Sequence, residues 1–296
     1  VNDGTTLERH RREAHGLELE CIETGPADGP LALCLHGYPD SAHTFRHLLP
    51  VLAEAGFRAV APFMRGYAPS DLDPAGRYQG GVLGLDANAL HQTLGGDDRA
   101  VIVGHDWGAL GTYAAANLEP HRWSRVVAAA VPPGPVSAMA MLSYEQQKRS
   151  WYMFFQTTPL ADIVVPMNAY EFIGRLWADW SPGYDATEDV AHFVECMATP
   201  DHLAAAFGYY RQTLDAALQS PELADAQAAT LAVPPQPLLY LHGNDDGCMG
   251  SELLDLVPGV LSTEGSRTVV IDGVGHFLHL EQPEAVNSLI LEHLAG

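Results

Sequence analysis

The sequence predicts an α/β architecture, with a mostly parallel sheet flanked by helices and a helical block inserted before the last strands. Three observations carry this. Short continuous apolar runs recur, as parallel strands buried on both faces require. Helical spacing follows each run in the first half of the chain, the alternation expected of βα units. Between about Val136 and Thr230 the strand pattern disappears, and it returns afterwards. A length of 296 residues suits one large domain or one domain carrying an insertion.

The elements follow in order. Leu17 to Ile22 alternates like a half-exposed strand. Leu31 to Leu35 is a buried strand that breaks at His36-Gly37-Tyr38-Pro39, and helical spacing runs from about Ala42 to Ala55. Arg58 to Pro62 is a second short strand, ending in the turn-rich stretch Arg65 to Asp71, and Leu83 to Leu94 reads as a helix. Ala100 to Val103 is a third buried strand, closed by Gly104, with an Ala-rich helix from about Leu110 to Leu118. Val126 to Val131 is a further strand, stopped by Pro132-Pro133-Gly134-Pro135. The helical, aromatic-rich block follows, and Val233 to Pro237 reads as the return linker. Strands are expected at Pro237 to Leu241 and Thr268 to Ile271, and a last helix at Pro283 to Leu294. The expected division is a core of residues 1–135 and 231–296 and a helical cap of residues 136–230.

Composition narrows the function. Hydrophobic residues at 47% and charged residues at 18% exclude disorder across the whole chain. Fifteen Lys and Arg against 37 Asp and Glu give a net charge of −22, which repels phosphate backbones and anionic membrane surfaces. The expectation is no nucleic acid and no membrane partner, while a homodimer stays open. The four cysteines, at 21, 34, 196 and 248, form no C-x-x-C pair, so neither a zinc ribbon nor a redox motif is supported. The polar N-terminus and the lack of a long apolar stretch make a cytoplasmic location the expectation.

The chemistry is carried by three turns. Strand Ala100–Val103 runs into Gly104-His105-Asp106-Trp107-Gly108 and then a helix. This is the G-x-nucleophile-x-G elbow, with Asp at the centre in place of the more common Ser. The helix N-terminus beside Asp106 favours its negative charge. A carboxylate is already ionised at neutral pH and can attack an electrophilic sp³ carbon directly, giving an ester of the enzyme's own side chain. In the chain order nucleophile, acid, base, the base is His276, in Gly273-Val274-Gly275-His276-Phe277 after the last strand. His279 reads as structural. For the acid, the H-G-x-x-D spacing in His242-Gly243-Asn244-Asp245-Asp246 selects Asp246 and leaves Asp245 as a turn residue. In the third turn, Pro39 bends the chain after Tyr38 so that the Tyr38 N–H aims inward. With the Trp107 N–H it would form a two-donor oxyanion pocket. A metal site built from Asp245, Asp246, His276 and His279 lacks ligand spacing of a known kind. With no phosphate loop or dinucleotide fingerprint either, no metal and no cofactor are expected.

Together, His36-Gly37-Tyr38-Pro39, Gly104-His105-Asp106-Trp107-Gly108, Asp246 and Gly275-His276-Phe277 resemble the α/β-hydrolase fold, in particular its epoxide hydrolase branch. The resemblance extends over nearly the whole chain. It implies a small apolar epoxide as substrate, hydrolysed to a vicinal diol, and two cap tyrosines that hold and protonate the epoxide oxygen. The segment Ser150 to Gln156 maps the first to Tyr152, and Gly208-Tyr209-Tyr210-Arg211 maps the second to Tyr210, the Tyr directly before Arg. A phenol suits that task because it keeps its proton at neutral pH. The main rival is a haloalkane dehalogenase, which shares the Asp nucleophile and the Trp after it. In that family the H-G-N-P turn often brings an Asn, where this chain has Tyr38. Fluoroacetate dehalogenases would need arginines where Trp107 and Leu110 stand. The Asp disfavours an ordinary esterase, and a catalytically silent binding protein would need none of this set. The aromatic residues Trp151, Phe154, Phe155, Phe172, Trp177 and Trp180 crowd the cap, and some of them are expected to line an apolar pocket.

Overall fold

The apolar runs pair with one another at the centre of a single sheet. A computed structural model describes residues 6–296. Its strands are β1 (Glu8–Ala14), β2 (Leu17–Thr24), β3 (Leu31–Leu35), β4 (Arg58–Pro62), β5 (Val101–His105), β6 (Arg125–Ala129), β7 (Leu238–Gly243) and β8 (Arg267–Ile271). They lie in the order β1-β2-β4-β3-β5-β6-β7-β8. The pairs β1–β2 and β2–β4 are antiparallel, and the remaining neighbours are parallel. β3, β5 and β7 are buried along their full length, which is why they read as unbroken apolar runs.

Strand β1 was not expected. Its sequence, ERHRREA, has no apolar face because it forms the outer edge of the sheet. Charge pairing across the ladder serves instead: Arg12 Nε donates to Glu23 Oε1 of β2 at 2.6 Å. Other boundaries shift as well, and the strand expected to reach Val131 ends at Ala129. The stretch expected as one helix from 42 to 55 is a 3-10 turn, Ala42–His47, followed by α1 (Leu48–Glu54). β5 continues through Gly104 to His105, so the glycine does not close the strand.

Helices α2 (Val82–Thr93) and α3 (Trp107–Leu118) follow β4 and β5. Between β6 and β7 the chain forms α4 (Gly134–Ala140), α5 (Tyr144–Arg149), α6 (Trp151–Gln156), α7 (Pro159–Val164), α8 (Met167–Trp180), α9 (Thr187–Cys196), α10 (Pro200–Leu214) and α11 (Ala224–Ala229). No strand occurs in that stretch. The chain closes with α12 (Val257–Val260), α13 (Leu278–Glu281) and α14 (Pro283–Ala295). Among the described residues, no helix is long and apolar enough to cross a membrane.

After β3 the chain steps to one side, to β4, and then back to the other side, to β5. The loops that leave the C-terminal ends of β3 and β5 therefore diverge and open a crevice, the place where open α/β sheets hold their ligands.

Just past β4, Arg65 is fully buried and joins the loop to its surroundings. Its Nε donates to Asp86 Oδ2 on α2 at 2.6 Å, and Nη1 donates to Asp73 Oδ2 at 2.9 Å. The Arg65 carbonyl accepts the Tyr209 hydroxyl of α10 at 2.7 Å. Removing one partner of a buried ion pair strands the other charge in the interior. Arg65→Met is therefore expected to lower the free energy of unfolding in urea by about 3–5 kcal/mol. A change below about 1 kcal/mol would mean that Asp86 is rehydrated without cost.

Candidate active site

The elbow is built by close backbone approach. Asp106 has φ 53° and ψ −118°, outside the regions where L-residues rest easily, a strain of about 1–3 kcal/mol. Such a turn persists only where its neighbours hold it. A Cβ on Gly108 would collide with the Leu35 and His36 carbonyls, and one on Gly104 with the Gly108 backbone and Thr112. Across the crevice, a Cβ on Gly37 would strike the Asp106 carboxylate. The Tyr38–Pro39 bond is cis. The Tyr38 N–H points at the nucleophile position and donates to Asp106 Oδ1 at 2.8 Å. Trp107 opens α3, so its N–H is among those a helix leaves without an internal partner.

The three residues expected as a triad meet beside this turn. His276 Nδ1 lies 2.9 Å from Asp246 Oδ2, and His276 Nε2 lies 3.6 Å from Asp106 Oδ2. Asp246 is buried, and its other oxygen accepts the N–H groups of Cys248 and Met249 at 2.7 and 2.9 Å. Asp245 is exposed and belongs to the turn, as the spacing suggested. His279 faces away from the crevice, with Nε2 2.6 Å from Thr44 Oγ1.

Several contacts fix the histidine loop, and the sequence revealed none of them. The Trp180 carbonyl at the end of α8 accepts both the His276 N–H at 2.9 Å and the Gly247 N–H at 3.2 Å. Ser181 Oγ accepts the Phe277 N–H at 3.1 Å. His105, the residue before the nucleophile, lies with Nε2 2.9 Å from the His276 carbonyl. Burial drives its pKa down to about 3, so it stays neutral and donates there.

The charges support one another. Burial opposes ionisation of Asp106 and of Asp246, but His276 beside each holds both carboxyls below the usual range. Burial likewise opposes the imidazolium, yet Asp246 and the other groups around it raise His276 well above its ordinary value. Both carboxylates thus favour a proton on His276. Loss of the Asp106 charge would weaken its hold on the proton.

The two expected tyrosines face this group. Tyr152 on α6 and Tyr210 on α10 are buried, with ring centroids 5.8 Å apart. The Tyr210 ring packs edge-on to Trp107, centroids 5.0 Å apart. The adjacent Tyr209 is committed elsewhere, through its bond to the Arg65 carbonyl. Burial, with the Asp106 charge adding to it, pushes both phenols well above the usual tyrosine value, so they remain donors. Both line a cavity of about 200 Å³ that also exposes Asp106 and Trp107.

The walls of the cavity correct the expectation of an aromatic lining. They come from Leu110, Val131, Ala138, Met141, Met153 and Leu231, among other residues. None of the six aromatic residues named from the sequence lines it. Trp177 and Trp180 are core, where Trp177 stacks on Phe277 and Trp180 packs against Tyr152. Phe155 and Phe172 stack on each other, and Trp151 and Phe154 are largely exposed. Helical spacing marks a buried face but does not separate core from cavity wall. Two neighbours of the site were missed altogether. Gln156 Nε2 donates to the Tyr38 hydroxyl at 2.6 Å, and Cys248 Sγ lies 3.3 Å from the Tyr152 hydroxyl. The position of Cys248, two residues after Asp246, was the available signal.

Known proteins agree with this architecture. The alpha/beta hydrolase fold family matches residues 30–283. A curated relative from Bacillus subtilis, AB hydrolase superfamily protein YfhM, is 28% identical, with 95% of each chain covered. An epoxide hydrolase from Caballeronia sordidicola is 30% identical, covering 95% of this chain and 91% of its own. The crystal structure of Epoxide Hydrolase A from Mycobacterium thermoresistibile superposes with a TM-score of 0.80 at 26% identity, covering 98% of this chain and 99% of that one. The chain belongs to the α/β-hydrolase fold family, in its epoxide hydrolase branch.

Proposed function

We propose that the protein converts a small apolar epoxide to a vicinal diol through a covalent ester on Asp106, with residues 136–230 acting as the cap over the reacting groups. The observation that carries this reading is the pair of buried, protonated phenols, Tyr152 and Tyr210, in one cavity with a buried carboxylate at the elbow. Ring opening releases an alkoxide, a poor leaving group that needs a proton or strong hydrogen bonds. A halide leaves without a proton, so two phenols placed to donate one favour an epoxide over a haloalkane.

The steps follow from the geometry. Asp106 Oδ1 is held by the Tyr38 N–H, which leaves Oδ2 to attack an epoxide carbon. The carbon–oxygen bond breaks as Tyr152 and Tyr210 donate to the departing oxygen. Esterification removes the Asp106 charge, one of the groups that hold a proton on His276, so the imidazole passes that proton to the tyrosinate left by ring opening. Neutral His276, oriented by Asp246, then takes a proton from water, and the water oxygen attacks Cγ of the ester. The new oxyanion forms at Oδ1, facing the N–H groups of Tyr38 and Trp107. Collapse expels the diol alkoxide, which takes the proton from His276, and the Asp106 carboxyl then gives its remaining water-derived proton back to the imidazole. The aliphatic and methionine walls suit a substrate with alkyl character.

A mixed panel of terminal, aromatic and cyclic epoxides beside several haloalkanes tests the class. Diols are expected without halide release, and freshly made Asp106→Asn should retain less than about one part in a thousand of the rate. Halide without diol would replace this reading with a dehalogenase. His276→Gln should still alkylate. Its intact mass after one turnover should rise by the mass of the epoxide, and an unmodified protein would refute the ester. Tyr152→Phe should slow alkylation by at least about tenfold in single-turnover measurements. An unchanged rate removes Tyr152 from the reaction.

A further inference from the structure

A thiol stands in the cavity beside both reacting groups. Cys248 is buried and lines the same walls as Asp106 and Tyr152. Its Sγ, His276 Nε2 and a carboxylate oxygen of Asp106 all lie within 4.8 Å of one another. His276 Nε2 is itself buried and lacks a hydrogen-bond partner.

We propose that these three atoms form a binding site for a soft divalent cation such as Zn²⁺ or Cd²⁺, which shuts the site by occupying the nucleophile and base together. The binding rests on geometry alone, and the loss of turnover rests on the proposed reaction. Zinc bonds to S, N and O of about 2.0–2.3 Å place tetrahedral ligand atoms about 3.3–3.7 Å apart. His276 Nε2 and Asp106 Oδ2 already stand 3.6 Å apart. The sulfur, within 4.8 Å of both, has to close its separations by at most about 1.3 Å to join them. A thiolate and an imidazole select zinc-like ions over Mg²⁺ and Ca²⁺, which prefer oxygen ligands. On binding, the thiol and His276 give up their protons to solvent, and the metal forms bonds to Sγ, Nε2 and the carboxylate. Thiolate and carboxylate together neutralise the dication. The fourth position opens to the cavity, where a water can complete the tetrahedron.

A second cluster of possible ligands, Asp40, His105 and His279, lies within the same mutual distance. It contains no thiol, so sulfur reports separately on the Cys248 site. Cys21, Cys34 and Cys196 belong to neither group.

Titration of Cd²⁺ into the protein tests the site. The expected result is an ultraviolet cadmium–thiolate charge-transfer band that saturates at one ion per chain, with diol formation lost over the same concentrations. Mg²⁺ should cause neither. In Cys248→Ser and Cys248→Ala the band should vanish. The half-inhibitory concentration should rise at least ~10-fold relative to each variant's own metal-free rate, since losing a direct ligand costs no less than losing an outer-shell partner. A saturating band of equal strength in both variants, or no band in the parent protein, overturns the site. A band without loss of turnover supports the site and counts against Asp106 and His276 as the reacting groups, so the two readings fail separately.

Discussion

The geometry around Asp106 depends on how closely three backbone segments approach one another. The strand before it, the helix after it and the loop beyond β3 converge until three positions have no room for a side chain: Gly104, Gly108 and Gly37. That crowding holds Asp106 at positive φ, which no single hydrogen bond could enforce. It also sets a buried carboxylate against a backbone N–H and an imidazole, both of which stabilise its charge. The sheet topology supplies the convergence, because β3 and β5 are neighbours whose loops leave in opposite directions.

Charge in this site is balanced rather than merely present. Two carboxylates flank one imidazole and raise its pKa, and two phenols keep their protons because they are buried near the same negative field. Neutralising one carboxylate changes what the imidazole can do, while Asp246 keeps its own charge through two backbone N–H groups. In the proposed reaction, covalent modification of Asp106 and activation of His276 would be linked through one local field. No moving part is needed.

Much of this was legible in the sequence because strong local rules applied. The fully buried parallel strands had to be apolar, the elbow had to be glycine-flanked, and the chain order of nucleophile, acid and base placed Asp106, Asp246 and His276 before any geometry was known. Asp246, chosen over Asp245 by spacing, lies 2.9 Å from His276, and Tyr210, which the resemblance chose as the Tyr before Arg, lines the cavity. What escaped notice depends on long-range packing. β1 has no apolar face to read because it is an edge strand bound through charge pairs. The cavity walls could not be separated from the core among aromatic residues of equal spacing. The carbonyl of Trp180, the amide of Gln156 and the thiol of Cys248 act through partners far away in the chain, which no local pattern encodes.

The shared acceptor at Trp180 sets a limit on modularity. In sequence, residues 136–230 look like an exchangeable cassette between two halves of a scaffold. Yet one carbonyl inside that stretch holds the backbone of both the acid loop and the histidine loop, and the hydroxyl next to it holds Phe277. Exchanging the stretch at its visible borders would therefore also exchange the carbonyl and hydroxyl that hold the Gly247 and His276 loops. An exchange of that stretch that keeps these loop contacts has to keep Trp180 and Ser181 with the core.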